Sequence, residues 1–178
     1  MNRIVWSLTL LLLLLSGPLR ADSVEHINSE SVRVLGLLQD EVPGADGMIR
    51  AAAGVLVFPD VVKLGFGVGG QYGEGVLLVA GEPEGYYATA GASFGLQLGA
   101  VRKSEVILFM TDEALQQFSG SRGWQVGIDG NVTVVKHSAG AHLDSREAQD
   151  PVVAFILSDE GLMADLSLEG AKITRLAR

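Results

Sequence analysis

The sequence predicts an α+β domain: a mainly antiparallel, strongly curved or barrel-like sheet, with an amphipathic helix at its N-terminal end and one or two short helices. Apolar residues recur at helical spacing over residues 22–41, whereas a period of two dominates from residue 54 onward. Glycines at positions 65, 67, 69, 73 and 75 leave one face of a predicted strand almost without side chains. Such a face favours curvature of the sheet, or close approach of another backbone or a ligand.

Residues 1–21 are predicted to be a secretory signal that is removed from the mature protein. Arg3 precedes an apolar run of 12 residues, 4–15. As a helix this run would span about 18 Å, less than the roughly 30 Å of a bilayer's hydrocarbon core. Residues 19–21 form an imperfect small-x-small cleavage site. Cleavage after Ala21 would leave residues 22–178 as one exported domain of 157 residues.

Charge and cysteine content exclude several classes of function. Loss of Arg3 and Arg20 with the signal changes the formal net charge from −8 to −10, so the domain has no general attraction for nucleic acid or for anionic surfaces. Any binding of an anionic lipid must therefore come from a local basic patch. The chain has no cysteine, which excludes disulfides, thiolate catalysis and a lipoprotein anchor.

Three helices are predicted, two of them short. In the first, over residues 22–41, Asp22 and Glu25 have the spacing of a capping box, and the following proline and glycine end the helix. The short helices cover residues 47–53 and 111–119, the latter capped by Thr111. The apolar stripe of the first helix, with Ser31 as its polar gap, consists of Val24, Ile27, Leu35, Leu38 and Val42.

The remaining predicted elements are strands separated by turns. Two nearly continuous apolar runs, 104–110 and 152–157, are typical of strands that are covered on both faces. The other predicted strands cover residues 54–58, 65–75, 86–100, 124–129, 162–168 and 171–176. Turns are predicted at 81–85, 102–103 and 159–161, and a loop at 136–150.

Three motifs resemble catalytic or cofactor sites, but their context does not support such a function. Residues 65–70 match G-x-G-x-x-G, yet the chain continues as a strand where a dinucleotide site requires a helix. Residues 91–95 match G-x-S-x-G, yet Ser93 lies within an alternating strand where a nucleophile elbow requires a sharp turn. His137, His142 and Asp144 lack the spacing of metal ligands. The sequence thus predicts no catalytic residue, no metal site and no cofactor.

The candidate binding residues are basic side chains and glycines. Arg102 and Lys103 form the one adjacent basic pair in the body of the domain, and Lys63 precedes the glycine-rich strand. Such residues can hold an anionic headgroup through charge-assisted hydrogen bonds. Two interpretations of the bare glycine face remain open, namely tight packing of a curved sheet and a smooth groove for an acyl chain. The candidate lipid contacts are Lys63, Gly67, Gly69, Gly70, Arg102 and Lys103.

The sequence resembles the SYLF family of lipid-binding domains from about Arg50 to Arg175. Individually the matching segments are weak, but together and in one order they are specific. They are GVLVFP at 54–59, Lys63, the glycine-rich strand to residue 75, SFGLQLG at 93–99, ILFMT at 107–111, Ala114 and Leu115 with Phe118, GLMA at 161–164 and LEG at 168–170.

The resemblance implies binding of membrane lipid, without catalytic activity. In eukaryotic members the lipids are phosphoinositides, bound in part by a basic N-terminal helix, and some fungal members bind actin. Here acidic residues outnumber Arg33 in the first helix, and export conflicts with binding of cytoplasmic actin. An exported SYLF protein looks like a bacterial member of the family. We therefore expect a non-enzymatic periplasmic domain that binds anionic phospholipid or another envelope lipid. The alternative is an envelope protein that binds a protein partner through its sheet face or its first helix.

Overall fold

The computed structural model of the protein describes residues 22–135, 150–158, 161–162, 168 and 170–178, and for residues 65–68, 93–100 and 161–162 it describes the backbone alone. The predicted signal, the two histidines of the loop and most of the predicted strand 162–168 lie outside the described residues. These residues form three helices: α1 (Val24–Glu41), α2 (Ala45–Ala51) and α3 (Asp112–Gly120). They also form seven strands: β1 (Gly54–Val79), β2 (Glu82–Phe109), β3 (Trp124–Gln125), β4 (Thr133–Val134), β5 (Val152–Ser158), β6 (Gly161–Leu162) and β7 (Lys172–Arg175).

The sheet is organised around one long hairpin, β1–β2, whose two strands pair over almost their whole length. The other edge of β2 pairs with β7 near its start and with β5 near its end. The strand order is β3-β7-β2-β5-β4, with β1 on β2 and β6 on β5. All of these strand pairs are antiparallel except β4–β5. The predicted α+β class with a mainly antiparallel sheet is therefore confirmed.

The first helix forms where the sequence predicts it, but its cap and its buried face differ in detail. Ser23 is the N-cap, because its hydroxyl accepts a hydrogen bond from the backbone N–H of His26 at 3.2 Å. The predicted capping box of Asp22 and Glu25 is therefore wrong. The buried face of α1 comprises Ile27, Ser31, Val34 and Leu38.

Two predicted turns lie elsewhere or do not exist. The β1–β2 hairpin turns at Ala80 and Gly81, both with positive φ (51° and 83°), as a two-residue hairpin loop requires, and strand pairing resumes at Glu82. The turn predicted at Arg102 and Lys103 is wrong, because β2 runs without interruption from residue 82 to residue 109. Two adjacent charges resemble a turn in sequence, but here each pairs with a β1 residue within the ladder.

The strand predicted over residues 124–129 is also shorter than expected. β3 ends at Gln125, and the chain turns through Gly127, whose φ is 84°. The carboxylate of Asp129 stabilises this turn by accepting a hydrogen bond from the backbone N–H of Gln125 at 2.7 Å. Ile128 consequently lies at an exposed tip and not in the predicted alternating pattern.

The sheet separates two cores. The inner core lies within the curled sheet and contains Tyr87, Phe109, Phe118 and Trp124, whose rings contact one another at centroid distances of 4.6–6.2 Å. Phe118 enters this core from α3, whose N-cap Thr111 accepts from the N–H of Ala114 as predicted. The outer core lies between the sheet and helices α1 and α2, which contribute Val34, Leu38, Ala45 and Met48. Near the end of β2, Ile107 and Phe109 face the inner core, whereas Val106 and Leu108 face the outer side.

β1 curls so strongly that its two halves cross in direct contact at the glycine face. A Cβ atom on Gly75 would lie 2.2 Å from the carbonyl oxygen of Val57, and one on Gly73 would lie 2.8 Å from that of Asp60. No side chain fits at these positions, so the glycines are required for the close approach of two backbone segments. At Gly73 and Gly75 the packing interpretation of the glycine face is therefore confirmed.

Candidate functional site

The three predicted basic contacts lie close in the hairpin but do not face the same side. Arg102 is opposite Val62 in the ladder, Lys63 is opposite Val101, and Lys103 is opposite Val61. Directly opposed residues share a face of the sheet, and neighbours along a strand alternate. Val61 belongs to the inner core, so Lys63 and Lys103 lie on the inner face and Arg102 on the outer face. The structure therefore does not bring the three together as one basic cluster.

Lys103 forms an internal ion pair with Glu105. Its Nζ lies 2.7 Å from Oε1 of Glu105, and both side chains are only 1% exposed. Burial raises the pKa of Glu105, and the neighbouring Lys103 ammonium opposes that rise. Hence the charge of Lys103 compensates a buried carboxylate and is not presented to the surface.

Arg102 lines a polar cleft between α1 and the β1–β2 hairpin. The cleft has a volume of about 340 Å³. Arg102 Nη1 lies 3.0 Å from Oδ2 of Asp60, and Arg33 Nε lies 2.8 Å from Oε2 of Glu30, whose pKa is lowered by this hydrogen bond. The residues that line the polar cleft are His26, Glu30, Arg33, Leu37, Pro59, Asp60, Arg102, Lys103, Ser104 and Ser158.

A β-bulge in β1 places Asp60 in this cleft. The register shifts between Phe58 and Val61, so Pro59 and Asp60 fall outside the regular ladder. A proline suits this position because it has no N–H to donate to a neighbouring strand. The hydroxyl of Ser104 donates to the carbonyl oxygen of Pro59 at 2.7 Å and holds the bulge against β2.

A second cavity, the apolar groove, adjoins the polar cleft along the outer face of β1. The groove has a volume of about 550 Å³, and Asp60 lines both cavities. Leu64 and Tyr72 face it and are 57% and 44% exposed, although both are large apolar side chains. The residues that line the apolar groove are Asp22, Asp60, Val62, Leu64, Gly70, Gln71, Tyr72, Gly73 and Glu74.

The candidate glycines lie in the adjoining part of the hairpin. Gly67 pairs with Gly95, Gly69 with Ser93 and Gly70 with Ala92. A Cβ atom on Gly70 would meet only the carbonyl oxygen of Gly91, at an ordinary contact distance of 3.6 Å. Gly70 therefore leaves the floor of the apolar groove open but is not required for packing. As lipid contacts, the six candidate residues remain predictions.

Sequence reasoning missed the residues that connect the cleft to the groove. Leu64 and Tyr72 share a face of β1 because they are an even number of residues apart, and Arg102 lies on the same face of the hairpin. The alternation along β1 indicates that these residues share a face. It does not indicate which face that is, because the bulge near Pro59 reverses the faces of the residues that follow it. Arg33 and Asp60 have no sequence signal, because they reach the site from separate elements.

The first helix presents mainly polar residues to the surface, since its apolar stripe is covered by the sheet. Among the described helices, none has both the length and the apolar character needed to cross a membrane. Within the described part of the chain, no three His, Cys, Asp or Glu side chains lie close enough to hold a metal ion. Ser93 and residues 65–70 lie inside β2 and β1, so neither motif adjoins the helix that its chemistry requires.

The curled, mainly antiparallel sheet, with α1 and α2 at its outer side and α3 against the inner core, defines the class of this domain as α+β. The model of the family described as Ysc84, Las17-binding protein actin regulator, matches residues 90–177. This match confirms the SYLF resemblance of the sequence, although it begins at residue 90, beyond the Arg50 limit that the sequence suggested. A search of curated proteins found no match.

Proposed function

We propose that the chain is a non-enzymatic lipid-binding domain of the bacterial periplasm whose ligand is an anionic phospholipid. The phosphate of the headgroup binds in the polar cleft, and an acyl chain lies in the apolar groove. One observation carries this proposal: a cleft with two arginines continues, at Asp60, into a groove with exposed Leu64 and Tyr72. The match to the family model supports it, and the predicted signal supports the periplasmic location.

The arginines of the polar cleft are available to a phosphate. Arg33 and Arg102 are both exposed, and each pairs with one carboxylate at the surface. Such exposed ion pairs are weak, so an incoming phosphate can displace a carboxylate or bind the remaining N–H groups. Guanidinium groups bind phosphate oxygens through two parallel hydrogen bonds. The net charge of −10 on the mature chain opposes binding, and salt reduces binding because it screens the local attraction between the arginines and the phosphate.

The apolar groove supplies the second part of the affinity. Burial of an acyl chain contributes about 0.8 kcal/mol for each methylene group removed from water. Binding would also cover Leu64 and Tyr72, which the folded domain otherwise exposes. Of the six predicted contacts, the proposal uses Arg102 and Gly70 directly, whereas Lys103 stabilises Glu105 in the interior.

Flotation of the mature chain with liposomes tests the proposal. We expect flotation with vesicles that contain phosphatidylglycerol, reduced by salt, and little flotation with neutral phosphatidylcholine vesicles. The double variant Arg33→Glu, Arg102→Glu should lose flotation. The matched control Arg122→Glu, Lys172→Glu makes the same charge change at exposed residues outside both cavities and should retain more of it.

Three results would contradict this proposal. Equal flotation of the two double variants would show that the polar cleft is not the headgroup site. Loss of flotation in Lys63→Glu but not in Arg102→Glu would place the site on the inner face of the hairpin. Absence of flotation with either vesicle, together with capture of one stoichiometric envelope protein, would favour the protein-partner alternative.

A further inference from the structure

Glu74 is a buried carboxylate at which three distant parts of the chain meet. The residue is only 5% exposed, although it lies on the outer face of β1. Its Oε1 accepts a hydrogen bond from the hydroxyl of Tyr72 at 2.7 Å. Its Oε2 accepts from the backbone nitrogen of Asp22 at 3.1 Å and from the guanidinium of Arg178. Arg178 also donates to the carbonyl oxygen of Asp22 at 2.8 Å, so the contacts form a closed network.

The nitrogen that contacts Glu74 is the atom that the predicted signal cleavage would change. Before cleavage, the nitrogen of Asp22 is a neutral amide with a single N–H. After cleavage between Ala21 and Asp22, the same atom is an α-ammonium with three N–H donors and a positive charge. The contact with the carboxylate then becomes an ion pair, and two further N–H donors are added to the one that the amide already supplied.

We propose that Glu74 is the binding site for the N-terminal ammonium group that signal removal creates. This inference rests on the cleavage that the periplasmic assignment assumes, but not on lipid binding. In the mature chain, the carboxylate of Glu74 is flanked by two cations, the ammonium of Asp22 and the guanidinium of Arg178. A carboxylate this deeply buried needs such compensation, because an unpaired charge is costly away from water.

The ion pair also fixes one wall of the apolar groove. Asp22, Tyr72 and Glu74 all line that groove, and the Tyr72 hydroxyl is held by Glu74. The charged groups that face the site are the Asp22 side chain, Asp60 across the groove and Arg178. Removal of the signal therefore consolidates the wall against which the acyl chain is proposed to lie.

The first measurement is the intact mass of the protein exported with its own signal. We expect the mass of a chain that begins at Asp22. A chain that begins at any other residue would overturn the proposal, because the nitrogen of Asp22 would then remain an amide. This result is independent of any lipid assay.

The second measurement compares the thermal stability of two chains, one beginning at Asp22 and one retaining Ala21. At pH 6.5 we expect the chain that begins at Asp22 to melt about 2–8 °C higher than the chain that retains Ala21. Only in the chain that begins at Asp22 is the nitrogen next to Glu74 charged. Pairing with a carboxylate raises the pKa of the ammonium in the folded state. The advantage is therefore complete below its ordinary value of about 8 and is lost as the pH rises above it.

The same pair of chains in a Glu74→Gln background provides the control. Glutamine keeps an acceptor oxygen but removes the charge, so retention of Ala21 should then make little difference. Equal melting temperatures of the two wild-type-background chains at pH 6.5 would overturn the proposal, as would an advantage that persists unchanged in Glu74→Gln. Since the first comparison keeps Glu74, it remains decisive even if the Gln variant does not fold.

Discussion

Replacement of Gly75 by alanine would insert a methyl group into the crossing of β1 over itself. The new Cβ atom would lie 2.2 Å from the carbonyl oxygen of Val57 and 2.6 Å from Cδ1 of Phe58. Ordinary contacts between such atoms are about 3.5–4.0 Å, so the two backbone segments would have to separate by more than 1 Å. The Phe58 ring could rotate, but Val57 is fixed by its pairing with Val106 in the ladder. We therefore expect Gly75→Ala to reduce the free energy of unfolding by about 3 kcal/mol or more, the upper end of overpacking costs.

Urea denaturation monitored by tryptophan fluorescence can measure this change, because Trp124 is buried in the inner core and is the only tryptophan after residue 21. Gly36→Ala in α1 is the matched control: no atom lies within 4 Å of its Cβ, so alanine should stabilise the helix by about 0.5–1 kcal/mol. Gly70→Ala, with its nearest contact at 3.6 Å, should change stability by less than about 0.5 kcal/mol. A Gly75→Ala variant as stable as wild type would refute the crossing of the strand.

Four further substitutions have definite expected outcomes. Lys103→Met should destabilise the protein by about 3–5 kcal/mol because it leaves the Glu105 carboxylate unpaired, whereas Lys103→Met with Glu105→Leu should restore most of that loss, as urea denaturation would show. Because burial raises the pKa of Glu105, the folded state retains that proton at higher pH than the unfolded chain. The stability of Glu105→Gln relative to wild type should therefore increase as the pH rises above about 4.3. Thr111→Ala should cost about 1 kcal/mol through loss of the α3 cap, seen as a melting temperature about 2–4 °C lower. Burial and the hydrogen bond to Glu74 raise the pKa of Tyr72 to about 12, so Tyr72→Phe should remove the ionisation near pH 12 from an ultraviolet titration.

Elements with a strong local signal were predictable from the sequence. The apolar periodicity of α1 and the cap of α3 depend on residues within one or two turns of each other. The continuous apolar run of β5 indicated a strand buried on both faces, and six of its seven residues are buried. The glycine pattern of β1 indicated curvature, which the crossing at Gly73 and Gly75 realises.

The error at Arg102 and Lys103 has a physical explanation. A basic pair between two apolar segments usually lies in solvent, so the sequence favoured a turn. Here Lys103 and Glu105 are two residues apart in a strand and therefore share a face, which lets them neutralise each other in the interior. A Lys-x-Glu spacing inside a long period-two segment indicates a continuous strand. It distinguishes a strand from a turn only when a neighbouring strand is known to bury both side chains.

The candidate site could not be predicted because it depends on how β1 curls. The crossing that Gly73 permits brings Asp60 against the second half of the same strand, at a sequence distance of 13 residues. Asp60 thereby lies between the polar cleft, where it pairs with Arg102, and the apolar groove, where it adjoins Gly73. Without the crossing, Tyr72 would lie far along β1 from Asp60 and Arg102, and the apolar groove would not adjoin the polar cleft. The two interpretations of the glycine face are thus connected: close packing of bare backbone at Gly73 and Gly75 creates the groove that the lipid hypothesis requires.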